Sequence, residues 1–348
     1  MKITDSKSVQ TFISYSVYIL SGFLIFSPIH KSQNIPLSLF CAAAVSLILL
    51  LLMLRIFSIT NSIYTNIVFA RALSICAALF SLFASLMLLT EIIKDTAYIA
   101  NRGVSLLYYT AIAIAVLFVS FSLSIGGSKG IMRFYTLSII PFALLLFTIF
   151  FSLFTTKGIS VYRLYDSTAL SAPIITGLRS GIFYTLDTSV FIFSFREQIS
   201  TDKGTLPKKQ MLLGYLISYA FIFIYNIFTH LIFGSLTFQI SDADYALVKL
   251  IRGIDLTEII SAVRIISFLI KASLYIYLSS KCICISFPKV KQNTVIILVY
   301  LLIPASFLLV SLFDKSLEYG AFQHLIYPVT AIMSILFTAV YFFTKKSE

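Results

Sequence analysis

The sequence predicts an all-α polytopic membrane protein, and three observations lead to this fold class. Of the 348 residues, 59% are hydrophobic and only 11% are charged, which gives a mean hydropathy of +0.98. A water-soluble core of this size needs far less apolar surface. The apolar runs are of helix length and do not alternate with polar residues. Because lipid admits only helices or closed barrels, and a helix needs about 20 apolar residues to cross, helices are predicted.

Ten such spans are predicted along the chain. Their boundaries are Thr11–Ile29, Ile35–Arg55, Asn66–Thr90, Val104–Gly126, Phe134–Thr156, Ala169–Phe195, Gln210–Gly234, Ile259–Ser280, Thr294–Phe313 and Leu325–Phe343. The first run lacks a convincing cleavage site and is interpreted as a retained helix. Since the loops leave no room for a soluble domain, residues 1–348 are predicted to form a single transmembrane domain.

The charge distribution predicts the orientation of these spans. The formal net charge is +12, and most of the 26 basic residues fall in segments that are cytoplasmic if the N-terminus is internal. By the positive-inside rule both termini are therefore predicted to be cytoplasmic. Anionic lipid head groups are the expected counter-charge, so no nucleic-acid partner is predicted.

A faint internal repeat links the two halves of the chain. Span one contains Ser21-Gly22 and span six contains Ser180-Gly181, each in the first of five consecutive spans. An odd number of spans per half gives the halves opposite orientations, as in five-plus-five inverted-repeat transporters. Repeat one would cover about 11–156 and repeat two about 169–343. Because such transporters interrupt the first helix of each repeat, helix breaks are predicted in span one, near Ser21-Gly22, and in span six, at Ser180-Gly181.

Three stretches resemble the spore-germination permease family, the B subunits of germinant receptors, within the amino acid–polyamine–organocation (APC) superfamily. Leu89–Asp95 is similar to its acidic patch after the third helix, and Gly126–Arg133 to its Gly-x-x-x-x-x-Arg approach to the fifth. Tyr245–Glu258, continuing through Arg264 to Phe268–Tyr277, resembles its outer re-entrant or interfacial helix and eighth span.

This resemblance implies a LeuT/APC-like fold and a small amino-acid-like nutrient as ligand. It also implies two partners, a large membrane subunit and a lipoprotein, and a place in the spore inner membrane or the bacterial cell membrane. No cofactor and no metal are expected. Amino acid transport coupled to protons or another cation is the alternative. An intramembrane enzyme ranks behind both, because no His-Glu-x-x-His or Gly-x-Ser-x-Gly motif is present. A structural membrane subunit also ranks behind them, because charges within the membrane would be an unneeded cost.

The predicted break defines a candidate ligand site. Backbone groups at the start of the second half-helix would bind a substrate carboxylate, while Asp187 would bind a substrate ammonium or a coupling proton. The candidate ligand-binding residues are Tyr18, Ser21, Gly22, Gly177, Ser180, Gly181, Ile182 and Asp187. Two alternatives remain: Gly181 is a close-packing contact between helices, and Asp187 makes a structural interhelix hydrogen bond.

Ionisable groups deep in a span cost about 2.5–3.5 kcal/mol at the helix centre and usually face a cavity or a partner. The predicted spans hold Arg179, Asp187, Arg264 and Lys271. Arg179 and Asp187 are eight residues apart, a rotation of about 80°, so they are not expected to touch. Lys271 is expected to replace a coupling cation, to pair with Asp187 or to reach neighbouring carbonyls. Tyr275 and Tyr277 are interpreted as packing residues.

Overall fold

The computed structural model describes residues 6–26, 34–59, 85, 106–155, 171–199, 207–233, 257–287 and 289–313. All regular structure in these ranges is helical. The helices are α1 (Ser6–Phe26), α2 (Ile35–Ile59), α3 (Leu106–Ile125), α4 (Gly127–Leu137), α5 (Ile139–Thr155), α6 (Ser171–Ile199), α7 (Lys208–Phe233), α8 (Thr257–Ser286) and α9 (Gln292–Phe313). Predicted span ten, nearly all of span three, and the stretches Leu89–Asp95 and 245–256 lie outside the described residues.

Five segments of the described helices are long and apolar enough to cross a membrane. They are Lys7–Ile25, Pro36–Arg55, Gly127–Thr148, Lys208–Phe233 and Ile259–Cys284. Large apolar side chains on these helices point outward, among them Phe40 at 68% exposure and Phe147 at 71%. Such a surface suits lipid rather than water. The chain is an integral membrane protein.

Predicted span five begins earlier than expected and is divided in two. Gly127 follows directly after α3 with a φ of 71°, a left-handed conformation that glycine adopts without a steric penalty. Because of this turn, α4 begins at Gly127, whereas the predicted span five begins at Phe134. Pro141 has no N–H, and its ring crowds the carbonyl of Leu137, so the helix is interrupted at Ser138 before α5 begins.

The chain divides into two compact units. The first comprises Met1–Leu50, Tyr135–Thr185 and Lys208–Ser267, and the second comprises Leu51–Phe134, Leu186–Pro207 and Phe268–Glu348. The long helices α6 and α8 each contribute their first part to the first unit and their second part to the second.

The first unit is built around a close pair of helices, α1 and α7. A Cβ added at Gly214 would lie 3.1 Å from both the Oγ of Ser16 and a ring carbon of Tyr15. One turn further along α7, the Ser218 hydroxyl donates to the backbone carbonyl of Ser16 at 3.2 Å. Small residues at this spacing let two backbones approach closely, which is how helices associate where lipid supplies no hydrophobic drive.

In the second unit, α3 connects with α8 and α9. The ring of Phe121 on α3 lies 4.7 Å from that of Tyr300 on α9, centroid to centroid. The hydroxyl of Ser124 donates to the backbone carbonyl of Ser273 on α8 at 2.9 Å. These contacts fix the part of α8 that carries the charged residue Lys271.

Candidate functional site

The structure corrects the predicted helix break, because α6 is one continuous helix from Ser171 to Ile199. The hydroxyl of Ser180 donates a hydrogen bond to the carbonyl of Thr176 at 2.8 Å, one turn back in the same helix. Within a continuous helix the backbone amides of Gly181 and Ile182 belong to the helical ladder and are not presented to a ligand. A glycine in a helix costs only about 1 kcal/mol relative to alanine, whereas unpaired backbone in lipid costs several per group.

Gly177 and Gly181 serve close packing against α2, the alternative left open above. A Cβ added at Gly177 would lie 2.5 Å from the backbone oxygen of Ser38 and 2.8 Å from the Cβ of Cys41. At Gly181 an added Cβ would lie 2.8 Å from the backbone oxygen of Ala42. In the sequence the two glycines form a Gly-x-x-x-Gly pattern, which is a signal for close helix packing.

The candidate residues on α1 are also held inside an unbroken helix, Ser6–Phe26. Tyr18 is fully buried, and its ring stacks on that of Tyr135 with centroids 6.1 Å apart. The hydroxyl of Ser21 donates to the carbonyl of Tyr18 at 2.7 Å, and Gly22 lies within the following turn. A break in span one is therefore not found either.

Asp187, on the second half of α6, lies in a buried charged cluster with two residues of α8. One carboxylate oxygen, Oδ2, forms a salt bridge with the Nζ of Lys271. The other, Oδ1, accepts a hydrogen bond from the hydroxyl of Tyr275 at 2.8 Å. Asp187 is 3% exposed, and Lys271 and Tyr275 are fully buried. Of the three alternatives for Lys271, the structure shows the pairing with Asp187.

The position of Tyr275 corrects its interpretation as a packing residue. It follows Lys271 by four residues, which places both side chains on one face of α8. Both therefore reach the same carboxylate. In the sequence, the four-residue spacing of Lys271 and Tyr275 is the signal that both side chains can reach one acidic partner.

This cluster satisfies a buried carboxylate from two sides. A buried ion pair is tolerated only when its geometry is good and additional hydrogen bonds satisfy the remaining lone pairs. Here the ammonium supplies the opposite charge and the phenol supplies the second hydrogen bond. Because Lys271 already occupies Oδ2, a ligand ammonium would have to compete with Lys271 for that oxygen.

The remaining predicted charges, Arg179 and Arg264, belong to the first unit, whereas the cluster belongs to the second. Arg264 is on the part of α8 that belongs to the first unit and is partly exposed. Arg179 lies in the first half of α6, and its side chain is outside what the structure describes. Their assignment to coupling stays a prediction, as does the division into two repeats.

The fold is similar to that of a known transporter. Mhp1, a nucleobase-cation-symport-1 family transporter, was solved in a closed conformation with bromovinylhydantoin bound. The sequences are 13% identical and the TM-score is 0.58, over 94% of this chain and 76% of that one. No protein-family model and no curated protein matches this chain.

This likeness confirms the predicted fold class. The protein is an all-α polytopic membrane protein with the fold of LeuT/APC-type transporters. At this identity the likeness concerns the fold alone, so the ligand must be argued from the chain's own residues.

Proposed function

We propose that this protein is the permease-like membrane subunit of a spore germinant receptor, which binds an amino acid or similar small nutrient and thereby triggers germination. A large membrane subunit and a lipoprotein are its proposed partners. The spore inner membrane or the bacterial cell membrane is its proposed location, with both termini cytoplasmic. The transporter fold supports the binding of a small solute, and the resemblance of Gly126–Arg133 and Phe268–Tyr277 to germination permeases supports the sensing role.

The observation that carries this proposal is the buried cluster of Asp187, Lys271 and Tyr275. Ionisable residues inside a membrane mark substrate or ion pathways, because placing a charge there costs free energy that a residue without such a role would not offset. An ammonium already paired with the carboxylate resembles the amino group of an amino-acid-like ligand. We propose that the ligand's ammonium replaces that of Lys271 at the Asp187 carboxylate. Because Lys271 is then released, ligand binding would move α8 from the position it has without ligand.

The other candidate ligand residues remain part of the proposal in a modified form. Tyr18, Ser21 and Ser180 have their hydrogen bonds or ring contacts inside the protein. Ligand contact with them, or with Gly22 and Ile182, therefore requires local opening of α1 or α6. Gly177 and Gly181 are packed against α2 and would contribute by allowing that opening rather than by touching the ligand.

Coupled transport is the second candidate function. The likeness to a cation-symport family transporter favours it, because a fold that couples solute to cation provides alternating access around a central site. If the protein is a coupled transporter, Lys271 would supply the positive charge that a bound cation supplies in cation-coupled transporters. The two functions predict different fates for the bound solute.

The test uses the purified full chain in liposomes with a mixture of radiolabelled L-amino acids. Saturable binding without accumulation supports sensing, and accumulation driven by an imposed pH or sodium gradient supports transport. Neither binding nor uptake, with a monodisperse protein, would reject both. D187N is expected to abolish the signal, while K291Q, a change at an exposed lysine, leaves it intact.

The germination role has its own test, independent of ligand identity. Deletion of the gene is expected to remove the response of spores to one nutrient and to leave the response to others intact. Genes for a large soluble-headed membrane protein and a lipoprotein are expected beside it. Spores that germinate normally on every nutrient after deletion would contradict the proposal and leave transport as the function to pursue.

A further inference from the structure

Two buried hydroxyl groups in the second unit depart from the pattern of the other serines. Buried serines of the described helices typically donate to a carbonyl one turn back in their own helix, as Ser120 and Ser267 do at 2.8 Å. This is the usual solution in lipid, where an unsatisfied hydroxyl is costly. Ser194 on α6 and Ser279 on α8 are fully buried, and their Oγ atoms make no hydrogen bond to the residues that the structure describes.

Ser194 lies on the face of α6 that carries Asp187, and Ser279 lies on the face of α8 that carries Tyr275. Ser194 follows Asp187 by seven residues, about 10 Å along α6 with a rotation of only about 20°. Ser279 follows Tyr275 by four residues, about 6 Å along α8 with a rotation of about 40°. On the helix face of Asp187 in α6, and on that of Tyr275 in α8, the unsatisfied hydroxyls are thus the next polar groups toward the C-terminal end.

The same two serines lie at a similar depth. Between α6 and α8 the structure describes one membrane-crossing helix, α7, and the sequence predicts no other span there, so the two helices are predicted to run in the same direction. Their second parts also belong to the same compact unit. Measured from their common contact at Asp187, Ser194 and Ser279 therefore both lie toward the C-terminal ends of α6 and α8.

A third unsatisfied group extends the series toward the membrane face. Gln198 follows Ser194 by four residues, and its Oε1 is buried without a hydrogen-bond partner among the described residues. Buried polar atoms that the protein leaves unpaired are normally satisfied by water, which needs two to four polar partners. A row of such atoms leads from the buried ion pair to the helix ends. It would offer hydrogen-bond partners to successive water molecules.

We propose that Ser194, Ser279 and Gln198 line a hydrated path, which carries water and protons between the Asp187–Lys271 pair and the membrane face at which α6 and α8 end. The proton exchanged there would add to the Asp187 carboxylate, giving a carboxylic acid and leaving the Lys271 ammonium free to move. Basic residues, Arg196, Lys281 and Lys289, flank these helix ends, which by the positive-inside rule makes that face the cytoplasmic one.

The test is the access of silver ions to introduced thiols. Ag⁺ is small enough for a narrow aqueous path and replaces the thiol proton, giving a silver thiolate and H⁺. S194C and S279C are made in the full chain with its four cysteines changed to alanine, and S120C serves as the buried control. Vesicles of both orientations are exposed to silver nitrate, quenched and denatured, and the free thiols are counted with a fluorescent maleimide.

Silver applied at the cytoplasmic face is expected to lower labelling of S194C and S279C by about tenfold relative to S120C, because lipid and dry protein exclude ions. Full labelling of both variants after silver treatment would overturn the path. Access from the opposite face alone would overturn its direction. Each variant changes one side-chain atom, and size-exclusion chromatography checks its fold. The result does not depend on any ligand, so it stands or falls separately from the proposed function.

Discussion

The first half of α6 and its second half are held to their neighbours by different physical means. In the first half, Gly177 and Gly181 bring the helix so close to α2 that an added methyl group would meet backbone atoms. In the second half, Asp187 is bound by an ammonium and a phenol. The apolar sequence of α6 is thus interrupted in two ways. The glycines remove side-chain volume, whereas Asp187 adds a charge whose partners must stay in place.

This difference predicts which half tolerates change. Packing between small residues fails in proportion to the volume added, whereas a buried ion pair fails when either partner is lost. A movable charge also provides a response to a ligand or a proton, which a steric contact does not. This difference is the reason why the proposed function is assigned to the second half and structural support to the first.

The largest effect is expected from K271M. It leaves the Asp187 carboxylate buried without its counter-charge, and breaking a buried pair in this way costs about 3–5 kcal/mol. The free energy of unfolding, measured by denaturant titration in bicelles, is expected to fall by that amount. K291M, at an exposed lysine, is the matched control and should change little.

A double variant sharpens this prediction. D187L/K271M removes both charges, so it is expected to recover most of the stability that K271M loses. Such a protein would be stable but unresponsive to ligand. If K271M alone is as stable as K291M, the salt bridge is not formed in the membrane.

The next effect is expected from G177A in the first half. Its new methyl group would lie 2.5 Å from the backbone oxygen of Ser38, which cannot move aside as a side chain can. We expect a loss of about 3 kcal/mol, near the upper end for overpacking. G130A is the control, because an added Cβ there meets nothing within 4 Å. Equal stability of the two variants would contradict close packing of α6 on α2.

Y275F tests the second hydrogen bond of the cluster and is expected to have a smaller effect. It removes the hydroxyl that donates to Asp187 and leaves the ring in place. Hydrogen bonds to charged groups contribute about 1.5–3 kcal/mol, and we expect the lower part of this range because the salt bridge remains. Y300F, which keeps its ring contact with Phe121, provides the comparison. A loss no greater than that of Y300F would make Tyr275 a packing residue after all.

The sequence predicts the helices of this protein better than their contacts. Hydropathy places the described spans within a few residues, except span five, where Gly127 and Pro141 override it. The break at Ser180-Gly181 is wrong because a glycine pair weakens a helix only slightly, and the surrounding lipid favours an unbroken one. Asp187 and Lys271 were recognised as charges, but they are 84 residues apart, so their pairing depends on how α6 and α8 are arranged.

The smallest effect is expected from S38A, which asks whether hydrogen bonding contributes to the first half of α6. The Ser38 hydroxyl donates to the carbonyl of Pro173 on α6 at 2.8 Å. Such interhelical bonds average about 0.6 kcal/mol in membranes, because the separated helices also find partners. S122A is the control, since Ser122 bonds only within its own helix. A loss from S38A comparable to that from G177A would mean that a polar contact joins α6 to α2 as strongly as the glycine packing does, and the contrast between the two halves would then weaken.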